Sequence, residues 1–469
     1  MSRVRTRHDL FLFAVSSKDT IVALSTPPGR SGIGVIRLSG ERSLDYVRSL
    51  LNDAHFSSES HRVTLRKIFD PQSRELLDRA LITYFKAPHS FTGEDIAELS
   101  CHGSPVLLLH IVDALLALGA RAADAGEFTL RALANQRLNL SQAEAVRDLI
   151  DAQTQAAVRQ AARQLGGELS ARLQPTKDVL LEIIVPLESS LEFVEDDLPQ
   201  IALERIGFQL ANLIQSLDAL ATTFRAGRLL KDGLKVALVG RPNVGKSSVF
   251  NRLLSSDRAI VTEIPGTTRD SLSELLNIDG VPVLLTDTAG MREANDPVEH
   301  LGIERTRRAI ADADLVLFVL DGSQSLADED KAIFTNIAES KYLIVLNKSD
   351  LESFNNLICA GIGDNSKRVA VSAKTGEGLE VLRAAIMEPF EVGSATESGF
   401  LITNARHYDL LRRSADALRS SKSLVVQGAS EDLILVGLYE SLRYLDEITG
   451  ETTPEDVLSQ IFATFCIGK

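Results

Sequence analysis

The chain has 469 residues, of which 44% are hydrophobic and 24% are charged, a composition typical of proteins with several packed cores. At about 150 residues per domain, this length predicts about three domains. The formal net charge of −14 argues against a broad electrostatic grip on nucleic acid, although it leaves room for a local basic groove.

No apolar run reaches the ~18 residues that a membrane-spanning helix needs. The apolar stretch 10–15, which follows the basic start, is too short for a secretory signal. We therefore expect a cytoplasmic protein that does not enter a membrane. The three cysteines, Cys101, Cys359 and Cys466, are spaced too widely for a disulfide framework or a zinc motif.

The first 135 residues alternate short strands with turns. Apolar and β-branched runs predict four strands, at Ile21–Leu24, Gly34–Leu38, Leu81–Phe85 and Asp95–Ser100. A longer apolar run, Pro105–Leu118, predicts a buried helix that ends at Gly119. We expect residues 1–135 to form a small α+β domain.

The sequence becomes helical in character around Ser141. Ser141 and Glu144 have the spacing of a capping box, and strong helix formers continue to Leu173. Helical patterns follow at 175–193 and 200–227, and return after the linker 391–399 at 404–421, 430–447 and 454–463. We expect one all-α domain in two pieces, 136–231 and 391–469. The two pieces should pack together, because a domain inserted between them needs its ends close together.

The inserted segment, residues 232–390, begins with a phosphate-binding pattern. The apolar run Lys235–Val239 leads into Gly240-Arg-Pro-Asn-Val-Gly-Lys-Ser-Ser248, and helix formers follow. Strand, glycine-rich loop and helix together predict a P-loop. Its backbone N–H groups and the helix N-terminus face phosphate oxygens, Lys246 reaches the β- and γ-phosphates, and Ser247 ligates Mg²⁺.

Two further segments complete the predicted phosphate side. Asp287-Thr288-Ala289-Gly290 ends the strand Val281–Thr286, with Asp287 placed for the metal through a water and the Gly290 N–H placed for the γ-phosphate. Between the two loops, Gly266-Thr267-Thr268 offers hydroxyls, and we predict Thr268 as the second protein ligand of Mg²⁺. A plain turn is the alternative for this segment.

The base is selected by two later segments. The strand Tyr342–Leu346 delivers Asn347-Lys348-Ser349-Asp350, and the strand Arg368–Val371 delivers Ser372-Ala373-Lys374. A carboxylate at Asp350 accepts two hydrogen bonds from guanine, whereas adenine would leave it unpaired. The ordered elements predict a mostly parallel sheet with guanine nucleotide at its carboxyl edge. The predicted GTP contacts are Asn243, Val244, Gly245, Lys246, Ser247, Ser248, Gly266, Thr267, Thr268, Asp287, Thr288, Ala289, Gly290, Asn347, Lys348, Asp350, Ser372, Ala373 and Lys374.

The residue after Gly290 is Met291, where many GTPases carry a glutamine that orients water. A thioether cannot perform that task. Two residues offer substitutes: Asn243 could hold a monovalent cation against the phosphates, and Glu299 could act as general base. A loop-shaping role for Asn243 and a solvated helix start for Glu299 are the alternatives.

Segments outside the nucleotide domain carry a family resemblance. They are Thr26-Pro-Pro-Gly-Arg30 with Gly32, Gly34 and Arg37; Phe91-Thr-Gly-Glu-Asp95; Gly126-Glu127-Phe128 with Arg131; Gln142-Ala-Glu-Ala145; and Phe465-Cys-Ile-Gly-Lys469. With the nucleotide motifs, these segments closely resemble the bacterial and organellar tRNA-modification GTPases of the MnmE (TrmE) family over essentially the whole chain. Residues 1–18 extend beyond the usual start of the family.

The resemblance implies an N-terminal domain that binds folate and dimerises, a discontinuous helical domain and an inserted GTPase domain. With a flavin-dependent partner, MnmG, the family adds an aminomethyl-type group to carbon 5 of the tRNA wobble uridine. The one-carbon unit comes from 5-formyltetrahydrofolate or 5,10-methylenetetrahydrofolate. GTP and potassium pair the GTPase domains across the homodimer, and this pairing activates hydrolysis.

Individual roles follow from the same resemblance. It places potassium on Asn243, Thr262, Ile264 and Thr267, extends the GTP contacts over Thr262, Glu263, Ile264 and Pro265, and makes Glu299 catalytic. It places folate on Arg37, Glu98, Lys469 and Arg137, the last a position where the family usually has lysine. A structural ion pair is the alternative for these charged residues. Cys466 is predicted to be functional near the folate, with a structural thiol as the alternative.

The sequence is also compatible with a second class of function. A ribosome-assembly or RNA-chaperone switch would also bind GTP, but it has no need of a folate site or of Cys466. A signalling GTPase with an exchange factor is disfavoured by Met291 and by the large helical frame.

Overall fold

The computed structural model describes residues 19–192, 200–257, 273–287, 309–356, 362, 366–390, 399–452, 458 and 461–468. The chain divides into two compact units. The first comprises residues 1–147, 164–178 and 442–469, and the second comprises residues 148–163 and 179–441. No helix within the described ranges combines the length and apolar character that crossing a bilayer requires.

The first unit contains a six-stranded sheet. Its strands are β1 (Ile21–Leu24), β2 (Ile33–Ser39), β3 (Val63–Phe69), β4 (Leu76–Phe85), β5 (Ile96–His102) and β6 (Arg121–Ala122). Their order is β3-β4-β5-β2-β1-β6, and every neighbouring pair is antiparallel except β1 with β6. The four predicted strands are confirmed. The sequence missed β3, because most of its residues are exposed and charged side chains hide its alternation, and it missed β6, which is only two residues long.

Helices cover one face of this sheet. The helices α1 (Ser43–Leu51) and α2 (Pro105–Ala117) bury Ile36, Leu99 and Ile111 in a common apolar core. The predicted helix over Pro105–Leu118 is therefore confirmed as α2. The helix α3 (Glu127–Ala134) adds Phe128 to a small cluster with Ile21 and Ala23, whose side chains alternate with the core-facing residues of β1.

The helix with its N-cap predicted at Ser141 is α4 (Leu140–Asp151), whose cap is Asn139, two residues earlier. The capping-box prediction was wrong in register. The backbone N–H of Gln142 donates to Asn139 Oδ1 at 2.9 Å, and the N–H of Asn139 donates to Gln142 Oε1 at 3.0 Å. Asn139 and Gln142 therefore form the reciprocal cap. The Ser141 hydroxyl donates to Asn139 Oδ1 at 2.8 Å and supports that cap.

The remaining frame helices follow the predicted patterns closely. They are α5 (Gln155–Leu165), α6 (Glu168–Glu192), α7 (Gln200–Thr222), α8 (Phe224–Asp232), α12 (Ala405–Val426) and α13 (Glu431–Thr449), with α9 (Lys246–Asp257), α10 (Asp328–Ile337) and α11 (Leu379–Met387) in the inserted segment. The predicted pattern at 454–463 lies largely outside the described residues.

The second unit contains the predicted, mostly parallel sheet. Its strands are β7 (Leu234–Val239), β8 (Ser273–Ile278), β9 (Val281–Asp287), β10 (Leu315–Asp321), β11 (Tyr342–Asn347) and β12 (Arg368–Ala370), in the order β12-β11-β10-β7-β9-β8. Among the described strands of this sheet, only β8 and β9 pair antiparallel, and the other neighbours are parallel. Alternate residues of β10 enter two different apolar cores, so the sheet is covered on both faces.

Helices from before and after the inserted segment pack on each other, as the sequence predicted. The helices α7 and α12 lie side by side along much of their length. The Arg419 guanidinium contacts both carboxylate oxygens of Asp218, and the rings of Phe224 and Tyr408 stack with centroids 4.5 Å apart. The inserted domain therefore leaves and re-enters the frame at neighbouring points.

Close packing at Gly227 provides a stability test. A Cβ at this position in α8 would lie 2.1 Å from the Ile402 carbonyl oxygen. This oxygen belongs to the backbone and cannot easily move away. We expect Gly227→Ala to destabilise this unit by about 1–3 kcal/mol through overpacking. Gly207→Ala is the matched control, since its Cβ would meet only Val425 Cγ1 at 3.9 Å. It should be neutral or stabilising by up to ~1 kcal/mol. Thermal unfolding followed by circular dichroism measures both, and equal melting temperatures for the two variants would contradict the packing argument.

Candidate functional site

The loop between β7 and α9 has the backbone of a phosphate cradle. Asn243 adopts φ +63° and Gly245 adopts φ +96°, which turns successive amides of the loop toward its concave side. Asparagine tolerates the left-handed conformation better than most residues. A Cβ at Gly245 would lie 2.2 Å from Asn347 Nδ2, so glycine is required both for conformation and for space.

Charged and polar side chains are held at the start of α9. The buried Lys246 ammonium donates to the carbonyl oxygens of Gly240 and Arg241, each at 2.8 Å, and so lies across the loop. The Ser247 hydroxyl donates to Asp287 Oδ2 at 2.8 Å. The structure therefore brings together the residues predicted for phosphate and metal. A hydroxyl beside a carboxylate is an oxygen set of the kind that Mg²⁺ prefers.

The carboxyl ends of β10 and β11 form the other side of the cleft. Lys348 Nζ lies 2.6 Å from Asp321 Oδ2, and Lys348 adopts φ +69°. Burial opposes ionisation of Asp321, but the hydrogen bonds from Lys348 and Ser323 outweigh it and lower the pKa of this carboxyl. Asn347 Nδ2 donates to the Val244 carbonyl at 2.9 Å, which ties this side to the P-loop.

The residue predicted to read the base is also held in place. Asp350 Oδ1 accepts a hydrogen bond from the Ser372 hydroxyl at 2.7 Å, and this bond lowers the pKa of the Asp350 carboxyl. The Ala373 N–H donates to Asn347 Oδ1 at 3.1 Å. Asp350 is therefore an ionised acceptor near neutral pH, as guanine recognition requires. Its partner Ser372 was predicted, although for a contact to the nucleotide rather than to Asp350.

Sequence reasoning missed Asp321. The signal was present, because the apolar run Leu315–Leu320 ends in Asp321-Gly322 as the other strands end in their motifs. Several predicted residues lie outside the described ranges: Thr262, Glu263, Ile264, Pro265, Gly266, Thr267, Thr268, Thr288, Ala289, Gly290, Glu299 and Lys469. Their predicted roles stay predictions.

A second polar cluster lies in the first unit, on the sheet face that the helices α1 and α2 leave free. Arg37 on β2 and Glu98 on β5 are opposite each other in the sheet, with Arg37 Nε and Nη2 at 2.8 and 2.7 Å from Glu98 Oε1. The side chains are 17% and 24% exposed, so solvent and a ligand can reach both. Two of the four residues predicted to bind folate are therefore each other's ion-pair partners.

Residues 465–468 lie against this cluster. The Gly468 carbonyl accepts from Arg37 Nη1 at 3.4 Å and from the Ser25 hydroxyl at 3.2 Å. Ile467 forms a β-bridge with Ala125, and the Gly126 N–H donates to the Cys466 carbonyl at 3.4 Å. This seating places Cys466 two residues from a direct contact with Arg37.

Aromatic rings flank the Arg37 guanidinium. Its Cζ lies 5.9 Å from the Phe91 ring centroid and 5.8 Å from that of Phe128, within cation–π range. Phe128 is buried, whereas Phe91 is 37% exposed. Arg137, another predicted folate contact, is exposed, and its Nε donates to the Ser90 carbonyl at 3.2 Å. It is therefore joined to the loop that carries Phe91.

The two described cysteines differ in their surroundings. Cys101 is buried in the sheet core, and burial raises the pKa of its thiol to about 12, so it stays protonated. Cys466 is exposed. A thiol with solvent access can react and a buried neutral thiol is inert, so only Cys466 of this pair is placed for chemistry.

Comparison with known proteins identifies the family of the chain. Residues 140–466 match a family model described as the MnmE helical domain, and residues 20–137 match one described as the GTP-binding protein TrmE N-terminus. A tRNA modification GTPase MnmE from Koribacter versatilis (strain Ellin345) is 45% identical over 454 residues, covering 96% of this chain and 99% of that protein. Another, from Aquifex aeolicus (strain VF5), is 42% identical, covering 96% and 100%.

Solved structures match a smaller part of the chain. The G domain of the T. maritima FeoB iron transporter is 27% identical with a TM-score of 0.26, covering 33% of this chain and 97% of that one. A single-residue variant of Aquifex aeolicus Era bound to GDP·AlF4⁻ is 24% identical with a TM-score of 0.27, covering 39% and 66%. TM-scores this low do not establish a shared overall fold.

The sheet and the cleft at its carboxyl edge define a P-loop GTPase that is carried on a helical frame. The family models cover both the frame and the N-terminal unit, and the relatives match over almost their full length. The chain belongs to the MnmE (TrmE) family of tRNA modification GTPases.

Replacement of Asp350 by asparagine tests base recognition. The amide offers one acceptor and places an N–H₂ opposite guanine donors, so we expect GTP affinity to fall by ~10–100-fold, the value of one or two charge-assisted hydrogen bonds. Xanthosine triphosphate carries a carbonyl in place of the guanine amine and should bind the variant better than the wild type. Titration calorimetry with both nucleotides measures the switch, and unchanged GTP affinity would remove Asp350 from the base site.

Proposed function

We propose that this chain uses GTP hydrolysis to drive modification of carbon 5 of the wobble uridine in tRNA. The relatives are named as tRNA modification GTPases, which supports tRNA as the substrate. The group added is of the aminomethyl type, and its carbon comes from 5-formyltetrahydrofolate or 5,10-methylenetetrahydrofolate. The proposal assigns residues 1–135 to a folate-binding domain, 136–231 and 391–469 to the helical domain, and 232–390 to the GTPase domain.

The observation that carries the folate part is the seating of residues 465–468 beside the Arg37–Glu98 pair. Arg37 contacts residue 468 across 431 positions of sequence, so the contact is one of tertiary structure and not of local chain geometry. A switch protein that only binds and releases RNA has no use for an exposed cysteine two residues from a contact with the Arg37 guanidinium. The arrangement supports a reaction centre in the first unit.

The residues of this cluster fit a tetrahydrofolate. Glu98 offers carboxylate oxygens to pterin N–H groups, and Arg37 or Arg137 offers a guanidinium to the anionic glutamate tail. The exposed ring of Phe91 offers a face for stacking. The bound folate would supply the one-carbon unit, while Arg37, Glu98 and Lys469 orient it and Cys466 provides a thiol for proton or one-carbon handling.

The GTPase cleft supports the hydrolytic part. We propose that Ser247 and Thr268 ligate Mg²⁺, with Asp287 acting through a water, and that Asn243, Thr262, Ile264 and Thr267 hold K⁺. Glu299 then positions the attacking water and takes its proton as the water oxygen bonds the γ-phosphorus and the bond to the β–γ bridging oxygen breaks. The left-handed backbone of Asn243 supports a special role for that position.

A homodimer and a flavin-dependent partner, MnmG, complete the proposed assembly, and the proposed location is the cytoplasm. An apolar strip on the free face of the first sheet supports the homodimer. Val63, Leu65 and Leu81 are all more than 40% exposed, and Leu65 lies directly opposite Leu81 across β3 and β4. Contiguous exposed apolar side chains of this kind mark association surfaces.

Mass spectrometry of wobble nucleosides tests the proposed function. In cells that lack this chain, we expect affected tRNAs to carry wobble uridine without the carbon 5 substituent. The wild-type gene should restore the substituent. A Glu299→Ala gene should not restore it, because GTP would bind without being hydrolysed.

An unchanged set of wobble nucleosides in the deficient cells would contradict the proposal. Together with a defect in ribosomal subunits, it would favour the ribosome-assembly or RNA-chaperone alternative. Restoration by Glu299→Ala would leave tRNA modification standing and remove Glu299 from the hydrolytic step.

Calorimetry with 5-formyltetrahydrofolate tests the second cluster. We expect the wild-type protein to bind it, and Arg37→Ala to weaken binding by at least ~10-fold through loss of a charge-assisted contact. Arg79→Ala is the matched control, since Arg79 is an exposed arginine of the same sheet, on β4. If Arg37→Ala and the wild type bound 5-formyltetrahydrofolate equally well, the ligand would not bind at Arg37.

A further inference from the structure

A buried guanidinium in the first unit has no role in the function proposed so far. Arg131 on α3 is 1% exposed and contacts carboxylates from three separate segments. Its Nη2 lies 2.8 Å from Asp19 Oδ1 and 2.9 Å from Glu127 Oε1, and its Nη1 lies 3.0 Å from Glu94 Oε2. A charge this deep is stable only when it is paired and hydrogen bonded.

One of these carboxylates, that of Glu94, lies in the loop 90–95 and is hydrogen bonded to its surroundings. Glu94 accepts from the Ser39 hydroxyl at 2.7 Å, and that hydroxyl also lies 2.7 Å from Thr92 Oγ1. The Glu94 N–H donates to Thr92 Oγ1 at 3.2 Å, and Ser90 donates to the Glu94 carbonyl. The loop is therefore folded around Glu94, and the far end of Glu94 is held by Arg131.

A second carboxylate controls the start of α3. Glu127 accepts from Arg131, from Arg121 and from the Asp124 N–H. Burial opposes ionisation of Glu127, but the bonds from Arg121, Asp124 and Arg131 outweigh it and lower the pKa of the carboxyl. Glu127 is thus a fixed anion one turn before Arg131 on the same helix, and it orients the Arg131 guanidinium.

Both held segments present an aromatic ring to Arg37. Phe91 is three residues before Glu94, and Phe128 directly follows Glu127. These are the two rings whose centroids lie within 6 Å of the Arg37 guanidinium. Arg137, which donates to the Ser90 carbonyl, is fixed to the same loop. Arg131 thus lies behind both aromatic walls of the Arg37–Glu98 cluster.

We propose that Arg131 is a positioning residue for the folate site. Because it lies on α3 and binds Glu94, it fixes the separation of the Phe91 loop from α3, while its contact to Glu127, one turn earlier on the same helix, orients the guanidinium. It thereby sets the positions of the Phe91 and Phe128 rings around Arg37. Fully satisfied buried polar networks select one arrangement of the segments they join. Lysine cannot replace this function, because one ammonium cannot reach the carboxylates as the planar fork does. The proposal rests on the folate function and extends it.

Arg131→Lys in the full-length chain tests the proposal. We expect the dissociation constant for 5-formyltetrahydrofolate to rise by at least about tenfold, as when a group supporting a binding residue is lost. The KM for 5,10-methylenetetrahydrofolate in tRNA modification should rise similarly, with kcat at saturating folate changed less than about threefold. GTP affinity should stay at the wild-type value and report that the second unit is unaffected.

Arg121→Lys is the matched control. Arg121 belongs to the same network through Asp19, Asp124 and Glu127, but Glu94 is not among its described partners. The folate affinity of the Arg121→Lys variant should stay within about twofold of the wild type, since the Phe91 loop keeps its contact with Arg131. Equal losses in the two variants would show a general structural role and overturn the proposal.

Glu94→Gln covers the case in which Arg131→Lys fails to fold. It keeps a neutral acceptor for Ser39 but removes the charge that Arg131 holds, so folate affinity should again fall, and wild-type affinity would overturn the proposal. Hydrogen exchange of the amides at 90–95 tests the positioning role of Arg131 separately from the identity of the ligand. Faster exchange in Arg131→Lys than in Arg121→Lys supports positioning even if the wild type binds no folate, a result that would defeat only the proposed ligand.

Discussion

The burial of a parallel sheet on both faces is the constraint on which the nucleotide cleft depends. All seven residues of β10 are buried, and its side chains enter two separate apolar cores. Polar groups are therefore excluded from the strands and collect where strands end. Asp287, Asp321 and Asn347 all follow from this rule, since each is the last residue of its strand.

Both sites are held by polar partners behind them. In the cleft, Asp321 holds Lys348 and Ser372 holds Asp350. In the first unit, Arg131 holds the segments that flank Arg37. These supporting residues set the positions of the groups that meet a ligand, and a side chain placed by its own partners loses less freedom on binding.

Within the described residues, much of the nucleotide cleft could be predicted from the sequence, because its motifs are local and follow apolar runs. The P-loop and the ends of four strands were correctly placed, whereas β8 and β10 were missed, and Asp321 at the end of β10 was missed with them. The first unit could be predicted less well. The Arg131 network joins Asp19, Glu94 and Glu127, which no sequence periodicity relates. The helix cap moved from Ser141 to Asn139 because several residues there are capable caps, and only the folded backbone selects one.

Residues 465–468 reach a sheet that begins near residue 21, and this has a consequence during synthesis. A nascent chain can fold the sheet and the GTPase cleft long before residue 468 leaves the ribosome, but the Gly468 contacts to Ser25 and Arg37 form only afterwards. A product interrupted shortly before residue 465 would keep its nucleotide chemistry and lack the exposed thiol. Such a fragment would lack part of the proposed folate site, so translation order makes that site the last part of the molecule to be completed.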